Sequence, residues 1–386
     1  MVILLNVLYL SCVPWGFLWS RPQQIPSRLV ERGGINILYV QDPIYLLPQS
    51  LIASCRRKDV FLRKKVKDNL SVTNLFLPEF SGRLKFLKEK YGSIVLRSLL
   101  KYLNFKPEVA IFYSFSYVFL LPSLNSMNIK IFYDCPDDFS AFYSGVRALE
   151  ALRTEENLIA DSSVVTAVSK VLYKRISKIN SHCLYVPNGV DFDHFHKARW
   201  LTDKPQEISH LPHPIVGFIG SVRDWINIEL ICKLAQSHPE YSILLIGPVA
   251  FGLEELQKYP NITMLGARKY ESLPSYLSCI DVCLIPFKIN KLTSSSNPIK
   301  MYEYLATGKP VVSTPLPEVC DNVSELVYIA KDDEDFIRKV EEAVDETKKP
   351  ENKTMVAKRI RFAQDNSWEK RVDVFERLLR QTLQSH

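Results

Sequence analysis

The chain has 386 residues, 47% hydrophobic and 24% charged, which excludes a disordered chain and provides for two domains, each with its own core. The net charge of +7 fits an anionic ligand or an anionic membrane surface, and no interleaved basic–aromatic nucleic-acid motif accompanies it. The 8 cysteines are scattered without a C-x-x-C, as buried free thiols in a reducing cytoplasm would be, and Cys279 and Cys283 have no neighbouring histidine or cysteine to complete a metal site.

Met1 to Trp19 carries no charge, but no basic segment precedes the apolar run, and Asn6, Pro14 and Gly16 interrupt it. Val2–Leu10 therefore reads as a first buried parallel strand rather than a membrane anchor. Pro22 to Arg32 reads as a helix stopped by Gly33-Gly34, and Ile35–Val40 as the second strand, a unit that implies a right-handed crossover. The first turn lacks G-x-G-x-x-G, which argues against a nicotinamide enzyme. Next comes a basic cluster, Arg56-Arg57-Lys58 and Arg63-Lys64-Lys65-x-Lys67, interleaved with apolar residues. It reads either as a solvated face or as a foot on an anionic membrane, at roughly 1 kcal/mol per basic residue near the surface. A basic helix from Arg83 to Phe105 supports the membrane-facing reading.

Strands and helices then alternate. Glu108–Phe115, Ile129–Tyr133, Val164–Val168 and Cys183–Val186 read as strands, with helices at Leu149–Ile159 and from Lys170. The pattern is that of a doubly wound α/β domain with ligands at the carboxyl ends of its strands. Asp134, Asp137 and Asp138 stand at such an end. Three neighbouring carboxylates can raise the pKa of one and make it a general base, with Asp137 first and Asp138 second; they can equally cap a helix. Pro187-Asn188-Gly189-Val190-Asp191 contains a tight Asn-Gly turn, and Asp191-Phe-Asp193 spells D-x-D, read here as accidental and not as a metal site. The polar stretch Lys197 to Pro214 reads as a linker, giving domains 1–200 and 201–360.

The second half repeats the alternation. Ile215–Ile219, Ser242–Ile246, Ile262–Leu265, Val282–Ile285 and Val327–Ala330 read as strands. Gly220-Ser-Val-Arg223-Asp-Trp225 reads as a phosphate-competent turn with an arginine at a helix start, and Gly266-Ala-Arg268 as a loop at a strand end. Asp333 to Asp345 is helical, and Arg361 to Gln384 forms one periodic C-terminal helical region, 361–386, expected to return to the N-terminal domain and couple closure of the two.

The most informative stretch is Thr293-Ser-Ser-Ser-Asn-Pro-Ile-Lys-Met-Tyr-Glu-Tyr-Leu-Ala-Thr-Gly-Lys-Pro-Val-Val-Ser313. It reads as a loop, a helix capped by Asn297 with Pro298 at its first position, a glycine stop at Gly308 and a buried strand. A helix N-terminus preceded by Ser295 and Ser296 is an anion site. Lys300 and Glu303 share one helix face, the lysine placed for a diphosphate and the carboxylate for two ribose hydroxyls. The alternative is an ordinary capped amphipathic helix with a surface ion pair.

This stretch resembles the nucleotide-binding segment of two-domain GT-B glycosyltransferases of the group 1, family-4-like class, above all bacterial polysaccharide transferases with N-P-x-K-x-x-E-Y-L-A-x-G-x-P-V. Pro187–Asp191 resembles the segment that closes their N-terminal domain, and Trp19-Ser-Arg-Pro-Gln-Gln24 resembles a W-x-R-P-Q segment of relatives. The resemblance implies two Rossmann-like domains with an interdomain cleft. It implies transfer of a sugar from a nucleotide diphosphate sugar to a hydroxyl of a glycan or lipid-linked acceptor, in the cytoplasm or at the inner face of the membrane, with no metal and no further cofactor. Glu303 would hold the donor ribose; Arg223, Gly220, Ser295, Ser296 and Asn297 would surround the diphosphate; the loop at Arg268 would meet the nucleobase; Lys300 would stabilise the leaving group. Arg21 and Gln23 would face acceptor or donor. The commoner motif has a second glutamate where this chain has Ser295, which leaves open how the donor sugar is held and the stereochemistry of transfer. A nucleotide-sugar 2-epimerase and a non-catalytic sugar-nucleotide-binding subunit are the alternatives on the same architecture.

Overall fold

A computed structural model describes residues 4–16, 19–45, 63–78, 85–349 and 353–384. The chain divides into two compact units: residues 1–187 together with 371–386, and residues 188–370.

Among its described residues the first unit builds an eight-stranded sheet. Its strands are β1 (Leu5–Leu10), β2 (Ile35–Tyr45), β3 (Lys64–Lys67), β4 (Leu70–Leu77), β5 (Val109–Phe112), β6 (Lys130–Cys135), β7 (Val164–Ala167) and β8 (Cys183–Tyr185). The order is β3-β4-β2-β1-β5-β6-β7-β8, parallel except where β3 runs antiparallel to β4. Sheet order reverses between β2 and β5, on either side of β1, so the carboxyl end of β1 is a topological switch point. The strands read as near-continuous apolar runs because helices cover both faces, and Leu8, Leu10, Leu38, Phe112, Tyr133 and Val165 are buried in one core. The helix Arg21–Glu31 stops at Arg32, and Gly33 and Gly34 then take positive φ, as the sequence implies.

Among its described residues the second unit has a six-stranded parallel sheet, ordered β11-β10-β9-β12-β13-β14. The strands are β9 (Ile215–Ile219), β10 (Ser242–Ile246), β11 (Ile262–Gly266), β12 (Val282–Ile285), β13 (Val311–Ser313) and β14 (Tyr328–Ile329). Its switch point lies between β9 and β12.

Two expectations change. The stretch Lys197 to Pro214 is not plain linker: it holds the short helical turns Lys197–Arg199 and Gln206–Ile208, anchored by the buried Ala198 and Ile208. The C-terminal region is two helices, Lys353–Asp365 and Trp368–Gln384, broken at Asn366-Ser367. The break has a cause: Asn366 offers its carbonyl to Val190 N–H (3.2 Å) and Trp368 N–H donates to Val190 carbonyl (2.9 Å), so backbone groups that would continue a helix are spent on Val190. From Arg371 onward the last helix packs in the first unit, where Phe375 stacks on Phe132 at 5.3 Å. Burying one such phenylalanine contributes about 1.5–3 kcal/mol.

Candidate functional site

The second unit concentrates its chemistry at the β9/β12 switch point. Gly220 follows β9, and its N–H donates to Ile246 carbonyl at 2.8 Å. Gly247 follows β10 with φ +140°, and a Cβ there would lie 2.0 Å from the Gly220 carbonyl oxygen. The two strand ends thus approach backbone to backbone, which only glycine permits. Arg223 lies exposed on the turn after Gly220, its guanidinium 5.9 Å from the Trp225 ring centroid. It does not stand at a helix start, as the sequence suggested. The helix Ile228–Ser237 begins five positions later, capped by Asn227, whose side chain accepts from Leu230 N–H.

A short helix, Lys291–Ser294, leads into the serines: Ser295 is its C-cap, and Ser296 lies in the loop before the motif helix. Asn290 caps it reciprocally with Thr293. Ser295 Oγ donates to Lys291 carbonyl and Ser296 Oγ to Thr293 carbonyl, each at 2.8 Å. Both hydroxyl protons are therefore committed to backbone carbonyls, and what these oxygens still offer is lone pairs.

Asn297 is not the helix cap. The motif helix is Ile299–Ala306, and Pro298 occupies the cap position without a side-chain bond. Asn297 is buried and acts as a bracket instead. Its Oδ1 accepts from Asn188 N–H (3.0 Å), its carbonyl accepts from the Asn188 side-chain amide (2.7 Å), and its own amide donates to Glu318 (2.7 Å). The two sequence segments singled out above, Pro187–Asp191 and Asn297–Pro310, are joined at this point.

Lys300 and Glu303 meet on one face of the motif helix, Nζ to Oε2 at 2.6 Å. Glu303 is 4% exposed, whereas the Lys300 side chain retains 23%. One residue on, Tyr304 Oη accepts from Ile219 N–H at 2.8 Å, which ties the motif helix to the last residue of β9, beside Gly220. Tyr304 and Glu318 were missed as site residues: their partners lie 85 and 21 positions away, and no local pattern announces them. Gly308 takes φ +76° directly after the cap residue Thr307, the stop expected of it.

At the loop after β11 the Arg268 side chain turns to Glu207. It pairs with Glu207 in fork geometry, Nε to Oε1 at 2.9 Å and Nη2 to Oε2 at 2.8 Å, and its Nε also reaches Tyr276 Oη at 3.1 Å. Those bonds hold the Glu207 carboxyl below its ordinary pKa, so this cation is already neutralised. The neighbouring Tyr270 ring stacks on His194 at 4.3 Å, and burial lowers the His194 pKa.

In the first unit the three aspartates separate. Asp134 is buried and faces Arg21, with Nε at 3.1 and 3.0 Å from its two oxygens and Nη2 at 2.8 Å, while Thr166 Oγ donates to it at 2.7 Å. Arg21 is equally buried and also donates to Pro187 carbonyl. Gln23 is buried as well, accepting from Ser20 N–H at 3.1 Å as the reciprocal cap of the helix Arg21–Glu31. Arg21 and Gln23 are thus spent on the fold, not presented to a ligand. Asp138 caps the turn Phe139–Phe142, accepting from Ser140 N–H (3.1 Å) and Oγ (2.6 Å). At the half-buried Asp137, burial, aided by the Asp138 charge, pushes the carboxyl up to about 7.

Residues 213–346 match the family described as Glycosyl transferases group 1. A putative teichuronic acid biosynthesis glycosyltransferase of Bacillus subtilis, TuaH, is 28% identical over 233 residues; the match spans 56% of this chain and 58% of that protein. Among solved structures, sucrose-phosphate synthase from Thermosynechococcus elongatus superposes with a TM-score of 0.77 at 14% identity, covering 99% of this chain and 100% of that one. Trehalose-6-phosphate synthase from Burkholderia multivorans gives 0.70 at 11% identity, with 98% of each chain covered. Anabaena HepE in complex with UDP gives 0.68 at 14%, covering 98% and 100%. The fold is GT-B.

Proposed function

We propose that this chain, a glycosyltransferase of the group 1 type, moves a sugar from a nucleotide diphosphate sugar to a hydroxyl of a glycan or lipid-linked acceptor in cell-surface polysaccharide synthesis. The observation that carries the reading is the Lys300–Glu303 pair on the motif helix, clamped by Tyr304 beside the β9/β12 switch point. A nearly buried carboxylate aligned by a partly exposed ammonium is a pre-organised acceptor for the two ribose hydroxyls. The ammonium then has a diphosphate to turn to. The relatives support the choice of donor: structures of HepE contain UDP and UDP-glucose.

In this reading Lys300, the N-terminus of the helix Ile299–Ala306 and Arg223 stabilise the departing diphosphate, a task that needs no metal ion. Ser295 and Ser296, their protons committed to backbone carbonyls, have lone pairs for the hydroxyls of the donor sugar and none of their protons for the diphosphate. Asp137 is the candidate base of the first unit, since a carboxyl with pKa about 7 can take a hydroxyl proton near neutral pH.

The test is a thermal-shift screen against nucleotide diphosphate sugars and bare diphosphates, run on the wild type and on Glu303→Ala. A ligand at ~100 times its Kd adds about 2.7 kcal/mol. One nucleotide class should stabilise the wild type and not the variant. Equal stabilisation of both would remove Glu303 from the donor site. Turnover of the identified donor should survive a chelator; loss on chelation would overturn metal independence.

A further inference from the structure

In the basic cluster of the first unit Lys65 pairs with Asp68 at 2.9 Å and Lys67 with Glu31, and Arg56-Arg57-Lys58 lies outside the described residues. A deeper ion pair is different. Glu155, on the helix Gly145–Asp161, is 0% exposed. Its Oε1 accepts from Tyr133 Oη at 2.7 Å and lies 3.4 Å from Cys135 Sγ. These two side chains stand two positions apart on β6 and so share one of its faces. Glu155 Oε2 meets Arg175 Nη2, from the helix Lys170–Ile176, at 2.8 Å.

The pair is poorly arranged for stability. Glu155 Oε2, Arg175 Nη1 and Arg175 Nη2 are three of the five buried side-chain polar atoms that complete no hydrogen bond among the described residues. The two ions therefore face each other off the line of a hydrogen bond, and their loss of water is only partly offset. Apolar side chains of the same volume would fill such a site as well or better. A buried charge pair kept under these conditions calls for a task other than holding the core.

Asp137 lies against the same thiol. Cys135 Sγ is 3.4 Å from Glu155 Oε1 and 3.5 Å from the Asp137 carbonyl oxygen, so the carboxylate holds the sulfur where it braces the segment 136–138. Asp138, which ends that segment, caps the turn Phe139–Phe142. Burial works against the Arg175 charge, but Glu155, with a smaller pull from Asp138, outweighs it, so the guanidinium stays ionised and attracts both acids. We propose that Glu155 and Arg175 are positioning residues for Asp137, fixing the segment 136–138 at the carboxyl end of β6 so that the Asp137 carboxyl stays half-buried and directed at the acceptor. This role rests on the reading of Asp137 as the base.

The full chain is labelled with carbon-13 at the aspartate carboxyls and titrated by NMR, with Asp137→Asn to assign the resonance. In the wild type Asp137 should titrate at about 7, a value set first by burial and second by the Asp138 charge. Glu155→Leu combined with Arg175→Met and Tyr133→Phe removes one charge of each sign and strands no partner, so this triple variant should melt close to the wild type. Its Asp137 midpoint should fall to about 6 or lower as the carboxyl gains water. Asp138, Tyr113 and Cys12, the titratable groups that face Asp137, are unaltered in it, so the fall reports position rather than charge. Nucleotide-induced thermal shifts should match the wild type, and kcat should drop about 100-fold with the donor KM unchanged, the scale of a group misplaced by about 1 Å. Glu155→Asp keeps the charge and shortens the reach; it should lower the midpoint less, and it carries the test if the triple variant does not fold. An unmoved midpoint in either folded variant, or a wild-type Asp137 that titrates as an ordinary carboxyl, would overturn the proposal. Normal turnover in Asp137→Asn, beside a midpoint that does fall, would keep the positioning role and dismiss the base.

Discussion

Asn188 and Asn297, 109 residues apart in the chain, hold each other by two hydrogen bonds within the second unit, and Glu318 fixes which way the Asn297 amide points. With Nδ2 turned to the Glu318 carboxylate, Oδ1 can only face the Asn188 N–H. The start of the motif helix is thereby set by a side chain that is not its cap. Asn297→Ala removes the acceptor of the buried Asn188 N–H, at about 1–3 kcal/mol, and takes one donor from Glu318, which keeps that of Asn322. We expect a lower melting temperature in differential scanning calorimetry and a weakened thermal response to nucleotide. Asn297→Asp should be worse, since it sets a second carboxylate against Glu318. A melting curve like the wild type's for both variants would mean that the bracket does not position the helix.

Lys300→Ala separates charge from packing. It removes the cation beside a carboxylate that is nearly sealed from water. If Lys300 stabilises the leaving diphosphate, kcat should fall by about 100-fold or more, the scale seen when one transition-state donor is deleted. Lys300→Arg keeps the charge and should recover part of the rate. A fall in stability with kcat preserved would make the pair structural.

Asp137 gives a pH-dependent expectation whose sign follows from its raised pKa. Folding holds the carboxyl at about 7 against an ordinary 3.8, so the native state prefers the proton. Stability from this group is present below about pH 4 and is lost as pH rises towards 7. Asp137→Asn should therefore raise the melting temperature at pH 8, with a gain of about 1–2 kcal/mol once partial solvent access is allowed for, and change little at pH 4. If Asp137 is the base, the same variant loses turnover, and the wild-type rate rises through an acid limb near pH 7. A stabilised variant with full activity would leave the burial argument intact and dismiss the catalytic one.

The sequence made the sheets legible because parallel strands covered on both faces are uninterrupted apolar runs, as at Val109–Phe112 and Val282–Ile285. The Lys300–Glu303 pair was legible too, because i,i+3 spacing on a helix determines a neighbour. What could not be read were partnerships set by tertiary structure. The fork between Arg268 and Glu207 joins residues 61 positions apart. Asn297 looked like a cap by residue type, but a proline immediately after it took the cap position with extended backbone. The triplet of aspartates was visible as a cluster, whereas its division into a salt-bridge partner, a turn cap and one perturbed acid depends on Arg21 and Ser140.

Arg21 and Asp134 supply the last expectation, and it concerns folding. Both are almost fully buried, and Arg21 also lies 5.3 Å from the Phe375 ring centroid, so the pair joins the first helix, β6 and the C-terminal helix within the first unit. Removing one partner strands the other charge in a dry interior, which costs about 3–5 kcal/mol. Arg21→Met alone should therefore give a protein that melts far lower or aggregates. Arg21→Met combined with Asp134→Asn should recover much of the loss, because Thr166 still donates to the position and no charge remains to be desolvated. Were Arg21 instead a ligand-facing residue, the double variant would fold and lose substrate binding. Normal KM values in a refolded double variant, measured beside its melting temperature, would assign the pair to the fold.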